Sequence, residues 1–164
     1  MDTSSDRIVK TALLRAPLER VWRAISEAQQ FGAWFGVAFD GPFVEGATMV
    51  GRIVPTEADA EIAKTQEPYR GAKFEIVVDR IEPMRWFSFR WHPFAVERDV
   101  DYSKEPMTLV AFQVEEAAGG TTLTITESGF DRLPAARRAR AFTMNEQGWA
   151  AQARLVEKYL SHAR

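Results

Sequence analysis

Four segments in the second half of the chain, KFEIVVDRI, RWFSFRW, TLVAFQVEE and TTLTITES, alternate apolar and polar residues. A period of two marks strands with one buried face, and the unequal connections restrict how these strands pair. EPMR joins the first to the second and AAGG the third to the fourth, so both pairs read as tight hairpins. The second and third are separated by HPFAVERDVDYSKEPM. In an antiparallel meander alternate connections fall at the same end, so both tight turns lie at one end of the sheet. The long connections, 55–71 and 92–107, then lie together at the other.

The pattern also predicts register. An EPMR turn that sets Ile81 opposite Trp86 puts Val78 opposite Phe89 and Ile76 opposite Trp91. Phe74, Ile76, Val78, Phe87, Phe89 and Trp91 then share one face. An AAGG turn that sets Glu116 opposite Thr121 pairs Val114, Phe112 and Val110 with Leu123, Ile125 and Glu127. The apolar sets coincide in both hairpins, and a one-residue slip would send each set to the wrong face.

RIVKTALLRAP predicts a first strand over 7–15, closed by Pro17. Val21, Trp22 and Ile25 mark a short amphipathic helix that QQFGAWF interrupts, which gives a short helix pair after the first strand, closing one edge of the sheet. ATMVGRIVP reads as a strand ending at Pro55, and TEADAEIAKTQEPYRG as a mobile loop. From about 135 to 161, Ala139, Phe142, Trp149, Ala153, Val156 and Leu160 recur at helical spacing. The expected fold class is α+β: a curved antiparallel sheet wrapped around a long C-terminal helix, in one domain over 1–164. Gly148 interrupts the helix propensity at a cost of about 1 kcal/mol relative to alanine. Its missing side chain is expected to let the helix approach the sheet, or whatever lies between them, so that Gly148→Ala would destabilise.

Composition narrows the function. The chain of 164 residues has 46% apolar and 27% charged residues and a formal net charge of −2, with RRAR at 137–140 as its densest cationic cluster. A solvated helix face is the expected role of that cluster, and nucleic-acid binding is not expected. Cysteine is absent and the two histidines, His92 and His162, are far apart. Neither disulfides nor a metal site is expected, and no cofactor is implied. No apolar run is long enough to span a membrane, and the expected location is cytoplasmic.

APLERVWRAISEAQQFGAWFG after a first strand, RIEPMRWFSFRW, GGTTLTITESGF and a terminal helix containing NEQGW together resemble one group of proteins. These are the single-domain bacterial relatives of the activator of the ninety-kilodalton heat-shock chaperone's ATPase, within the START-like or SRPBCC helix-grip superfamily. The resemblance covers nearly the whole chain and implies the fold more than an activity, because that superfamily includes lipid carriers, hormone receptors, polyketide cyclases and chaperone regulators. Some similar chains are associated with aromatic O-demethylases. A reductase role is not expected here, since there are no cysteines for an iron–sulfur cluster and no phosphate-cradling glycine motif.

Glu127 is the most informative polar position, because the register points it toward the helix-covered face at the long-loop end. It either meets a backbone amide or an arginine such as Arg52 or Arg138, or anchors a ligand at a cavity mouth. In the second case Glu127→Gln should keep the fold while weakening the ligand. Arg90 and His92 alternate away onto the outer face. Trp34, Phe74, Phe87, Phe89, Trp91, Phe112 and Trp149 supply rings for a core or a mostly apolar pocket, with Asn145 and Gly148 beside them. Three functions follow. The first is a noncatalytic carrier or sensor holding a hydrophobic or aromatic small molecule between sheet and helix. The second is a chaperone-regulator-like module with a protein partner. The third is a cyclase- or hydrolase-type enzyme using Glu127, which would also need a second polar group facing it.

Overall fold

The computed structural model describes residues 7–93 and 101–162. Part of the 92–107 connection, 94–100, lies outside them, as does the side chain of His162. Seven antiparallel strands form one sheet, β1 (Arg7–Leu14), β2 (Val37–Phe39), β3 (Thr48–Ile53), β4 (Lys73–Glu82), β5 (Trp86–Trp91), β6 (Thr108–Ala117) and β7 (Gly120–Ser128). Their order is β1-β7-β6-β5-β4-β3-β2. A 28-residue helix, Ala135–His162, crosses the inner face. The expected architecture is present, and the four alternating segments are β4 to β7.

The β6–β7 register is the expected one, with Glu116 opposite Thr121, Phe112 opposite Ile125 and Val110 opposite Glu127. Between β4 and β5 the expectation holds only at the far end, where Val78 pairs Phe89. Near the turn Ile81 faces Phe87 rather than Trp86, because the register shifts by one between Val78 and Arg80. A bulge there absorbs a residue and keeps Val78, Phe87 and Phe89 buried together.

QQFGAWF does not merely interrupt a helix. After α1 (Leu18–Ser26) it forms α2 (Ala28–Phe35), ending at Gly36 in the left-handed region with φ 105°, where glycine is favoured. Gly32 is required by packing, since a Cβ there would stand 2.0 Å from the Val37 carbonyl oxygen. The Trp34 indole donates to the Ala24 carbonyl at 2.9 Å and so ties the two helices together. Of this pair, α2 packs on edge strand β2, while α1 lies over β6 and β7, and both touch the terminal helix.

The segment expected as a mobile loop contains α3 (Ala60–Gln66) and a 3₁₀ turn. Asp59 caps α3 by accepting from the Ile62 amide at 2.9 Å and pairs with Lys158 of the terminal helix, α4. On α4 itself Ala141, Trp149, Leu155, Val156 and Leu160 are buried, whereas Ala139 is exposed. The arginine cluster is only partly a solvated face. Arg137 pairs with Glu105 at 2.8 Å, donates to the Pro93 carbonyl at 3.0 Å and lies 4.8 Å from the Tyr102 ring centroid.

Candidate functional site

Trp91, Thr108 and Glu127 lie at the long-loop end of three neighbouring strands. Trp91 pairs across to Thr108, and Glu127 pairs with Val110, two residues further along β6. Residues two apart on a strand share a face, so all three point inward. Asn145 and Trp149 stand four apart on α4, the spacing that puts two side chains on one helix face.

These residues meet at one carboxylate. Glu127 is 0% exposed. One of its oxygens accepts from the Trp91 indole at 2.8 Å and the Thr108 hydroxyl at 2.6 Å. The other accepts from the Trp149 indole at 2.7 Å and the Asn145 amide at 2.9 Å. A carboxylate offers about four lone-pair sites, and four neutral donors occupy them. The arginine partners expected from the sequence are elsewhere: Arg52 is exposed and Arg138 donates to the Leu133 carbonyl. Glu127 therefore links three strands to α4 and has no free acceptor site for a ligand.

In front of this link lies a cleft of about 70 Å³ lined by Phe35, Trp91, Asn145, Gly148, Trp149 and Gln152. Its three rings touch, with centroids 5.7 Å apart for Trp91 and Trp149, 6.0 Å for Phe35 and Trp149, and 6.3 Å for Phe35 and Trp91. Gly148 is exposed. Among the described residues nothing would lie within 4 Å of a Cβ placed there, so the expected close approach to the sheet is absent. Gln152 donates to the Phe35 carbonyl at 3.3 Å, one of the carbonyls that a helix leaves without a partner at its end. That bond orients the amide, and the buried Gln152 Oε1 has no hydrogen-bond partner among the described residues.

The expected site residues thus separate into two groups. Trp91, Glu127, Asn145, Gly148 and Trp149 come together, while Trp34, Phe87, Phe89 and Phe112 are fully buried core rings. Phe74 is half-buried against Phe35 and Trp91. Sequence reasoning missed Thr108 and Gln152 as members of the site. The β5–β6 pairing would have revealed Thr108, and the helical spacing from Gly148 and Trp149 would have revealed Gln152. Arg90 is on the outer face, paired with Asp79 at 2.6 Å. His92 is half-buried and donates through Nε2 to the Glu105 carbonyl at 3.2 Å. A groove of about 900 Å³ runs outside α2 between Gln30, Phe39, Phe43, Val54 and Tyr159. None of the expected site residues lines it.

A curved antiparallel sheet gripping one long C-terminal helix, with a small cleft between them, defines a helix-grip protein of the SRPBCC type. Residues 15–161 match the family described as Activator of Hsp90 ATPase homolog 1-like protein, and the chain belongs to that family. Solved structures with this fold include a protein from Arthrobacter aurescens, with TM-score 0.73 and 17% identity over 99% of this chain and 90% of that one. MLL2253 from Mesorhizobium loti has TM-score 0.68 and 20% identity over 96% and 98%. DynU16, from the dynemicin biosynthetic locus, has TM-score 0.66 and 24% identity over 96% of this chain. The present chain spans 48% of DynU16. No curated protein matches. Among the described residues no helix is long and apolar enough to cross a membrane, and no group of His, Cys, Asp and Glu could hold a metal ion.

Proposed function

We propose that this protein is a noncatalytic binding protein that holds one end of a hydrophobic or aromatic small molecule in the cleft between the end of β5 and α4. The observation that carries this reading is the open space at Gly148. A helical glycine costs about 1 kcal/mol relative to alanine, no described residue occupies the space it leaves, and that space continues into a cleft walled by three aromatic rings. Family membership supports it, since members commonly bind hydrophobic ligands. The cleft is smaller than the ~150 Å³ cavity that holds benzene. The ligand therefore inserts an end group, and the remainder lies over the exposed helix surface. Catalysis through Glu127 is disfavoured because a general base must reach the proton it removes, and this carboxylate is buried with its lone pairs already engaged.

The filled interior favours a second reading, a chaperone-regulator-like module that meets a protein through its outer surface. Val9 and Leu13, 51% and 47% exposed on edge strand β1, are among the apolar residues available there.

Native mass spectrometry of wild type and Gly148→Leu, purified from the protein's own cells, separates the two. A Cβ has open space at this exposed position, so the variant should stay folded while the longer leucine side chain competes for the cleft mouth. The expected result is a small-molecule mass on wild type that is lost from the variant. Wild type free of any such mass, with Trp91 and Trp149 indole resonances unmoved by a set of aromatic fragments, would leave the protein-partner reading in its place.

A further inference from the structure

The polar groups of the cleft are mostly engaged, and the wholly unpartnered atoms among them are amide oxygens. Of the residues lining it, Trp91 and Trp149 direct their indole N–H groups to Glu127, and so does the amide nitrogen of Asn145. Gln152 directs its amide nitrogen to the Phe35 carbonyl. The two indole N–H groups are therefore spent on the protein, and each amide nitrogen commits at least one of its two N–H groups to it. Two acceptors remain without any partner: the buried Gln152 Oε1 and Asn145 Oδ1, which no described group engages. The amide orientations are set by their partners, because neither a carboxylate nor a carbonyl could accept from an amide oxygen. The charge behind the cleft has the same sign preference. All four hydrogen-bond donors to Glu127 are neutral, and among the described residues no lysine or arginine forms an ion pair with it.

We infer that the end group received by this cleft is a protonated amine carried on an apolar or aromatic body. This rests on the small-molecule reading of the cleft and names the ligand class for it. An ammonium group supplies N–H donors to Gln152 Oε1 and Asn145 Oδ1, is attracted by the uncompensated Glu127 carboxylate, and is compatible with aromatic walls, whose electron-rich faces favour cations. A carboxylate or phosphate would face the Glu127 charge through the two indoles, and the two unengaged amide oxygens would repel it. An ether or hydrocarbon leaves the buried Oε1 unsatisfied, which is unfavourable.

The test is a ligand series on the unaltered protein at pH 7: benzylamine as its ammonium ion, benzyl alcohol, benzyl methyl ether and benzoate. Binding is read from the Trp91 and Trp149 indole N–H resonances and by calorimetry. Benzylamine should bind about tenfold more tightly than the alcohol, the difference expected between a charge-assisted and a neutral hydrogen bond, with the ether weaker still and benzoate weakest. Gln152→Leu should remove about tenfold from benzylamine and leave the ether unchanged. Binding of alcohol or ether equal to or tighter than benzylamine would overturn the amine while leaving the small-molecule reading intact. Failure of all four to move either indole would overturn both.

Discussion

A single carboxylate, Glu127, joins three strands to α4, and its geometry reverses an expectation drawn from shape alone. Glutamine fits the same space, yet its NH₂ must replace one oxygen, and each oxygen accepts from two donors. Glu127→Gln therefore turns one acceptor into a donor facing two others. Each buried donor left unsatisfied costs about 1–3 kcal/mol, so the variant should lose roughly 2–6 kcal/mol in urea melts. Unchanged stability would show that the network rearranges freely. Gly148 reverses sign as well. With no described neighbour within 4 Å of an added Cβ, Gly148→Ala should stabilise by about 0.4–1 kcal/mol. Melts showing destabilisation would restore the close packing that the sequence suggested.

Among the elements, α3 shows how a polar stretch becomes ordered. It buries no side chain, so apolar periodicity did not mark it. Its order comes from Asp59, which caps its first turn, and from Gln66, which accepts from the Thr56 amide at 2.7 Å and donates to the Phe35 carbonyl at 3.1 Å. Hydrogen bonding to Lys158, and then to the Ile62 amide, holds the Asp59 carboxyl below its ordinary pKa. A carboxyl lowered in the folded state adds stability above its ordinary pKa, and that stability is lost as pH falls through the lowered value. Hydrogen exchange at 60–66 should therefore quicken, relative to the β-sheet, as pH drops below about 4, after correction for intrinsic rates. Asp59→Ala should produce the same relative quickening at neutral pH. Equal protection in α3 for wild type and variant would mean that Gln66 alone holds it.

The molecule as a whole is organised around Phe31, which is fully buried and packs on Trp34, Phe35, Phe43, Phe87, Phe89 and Phe112. It stands where α2 meets the sheet, so it joins the helix layer to the strands that carry Trp91 and Thr108. Phe31→Ala should cost about 3–5 kcal/mol, a large share of the ~5–15 kcal/mol that stabilises a folded protein of this kind. Chemical denaturation should show a lower midpoint with an unchanged slope. A loss below about 1 kcal/mol would mean that the surrounding rings collapse into the space.

Periodicity and turn chemistry made β4 to β7, the terminal helix and the inward direction of Glu127 legible, because hairpin register couples residues close in sequence and burial on one face penalises every slip. Trp91 and Trp149 were legible as individual inward-facing residues, whereas Asn145 was legible only as a residue beside Gly148 that either turns inward or is solvated. Their meeting on one carboxylate was not, since the β7–α4 contact depends on how far the sheet curves and where the helix crosses it. Phe31 was hidden because Gly32 beside it reads as a helix breaker, although the glycine is there to admit the Val37 carbonyl. Gly148 gave the opposite error: a helix glycine signals missing bulk, but only the packed chain shows whether protein or open space adjoins it. Local alternation thus specified the faces of the elements, while the distances among side chains far apart in sequence depended on sheet curvature and helix placement, which the whole core determines together.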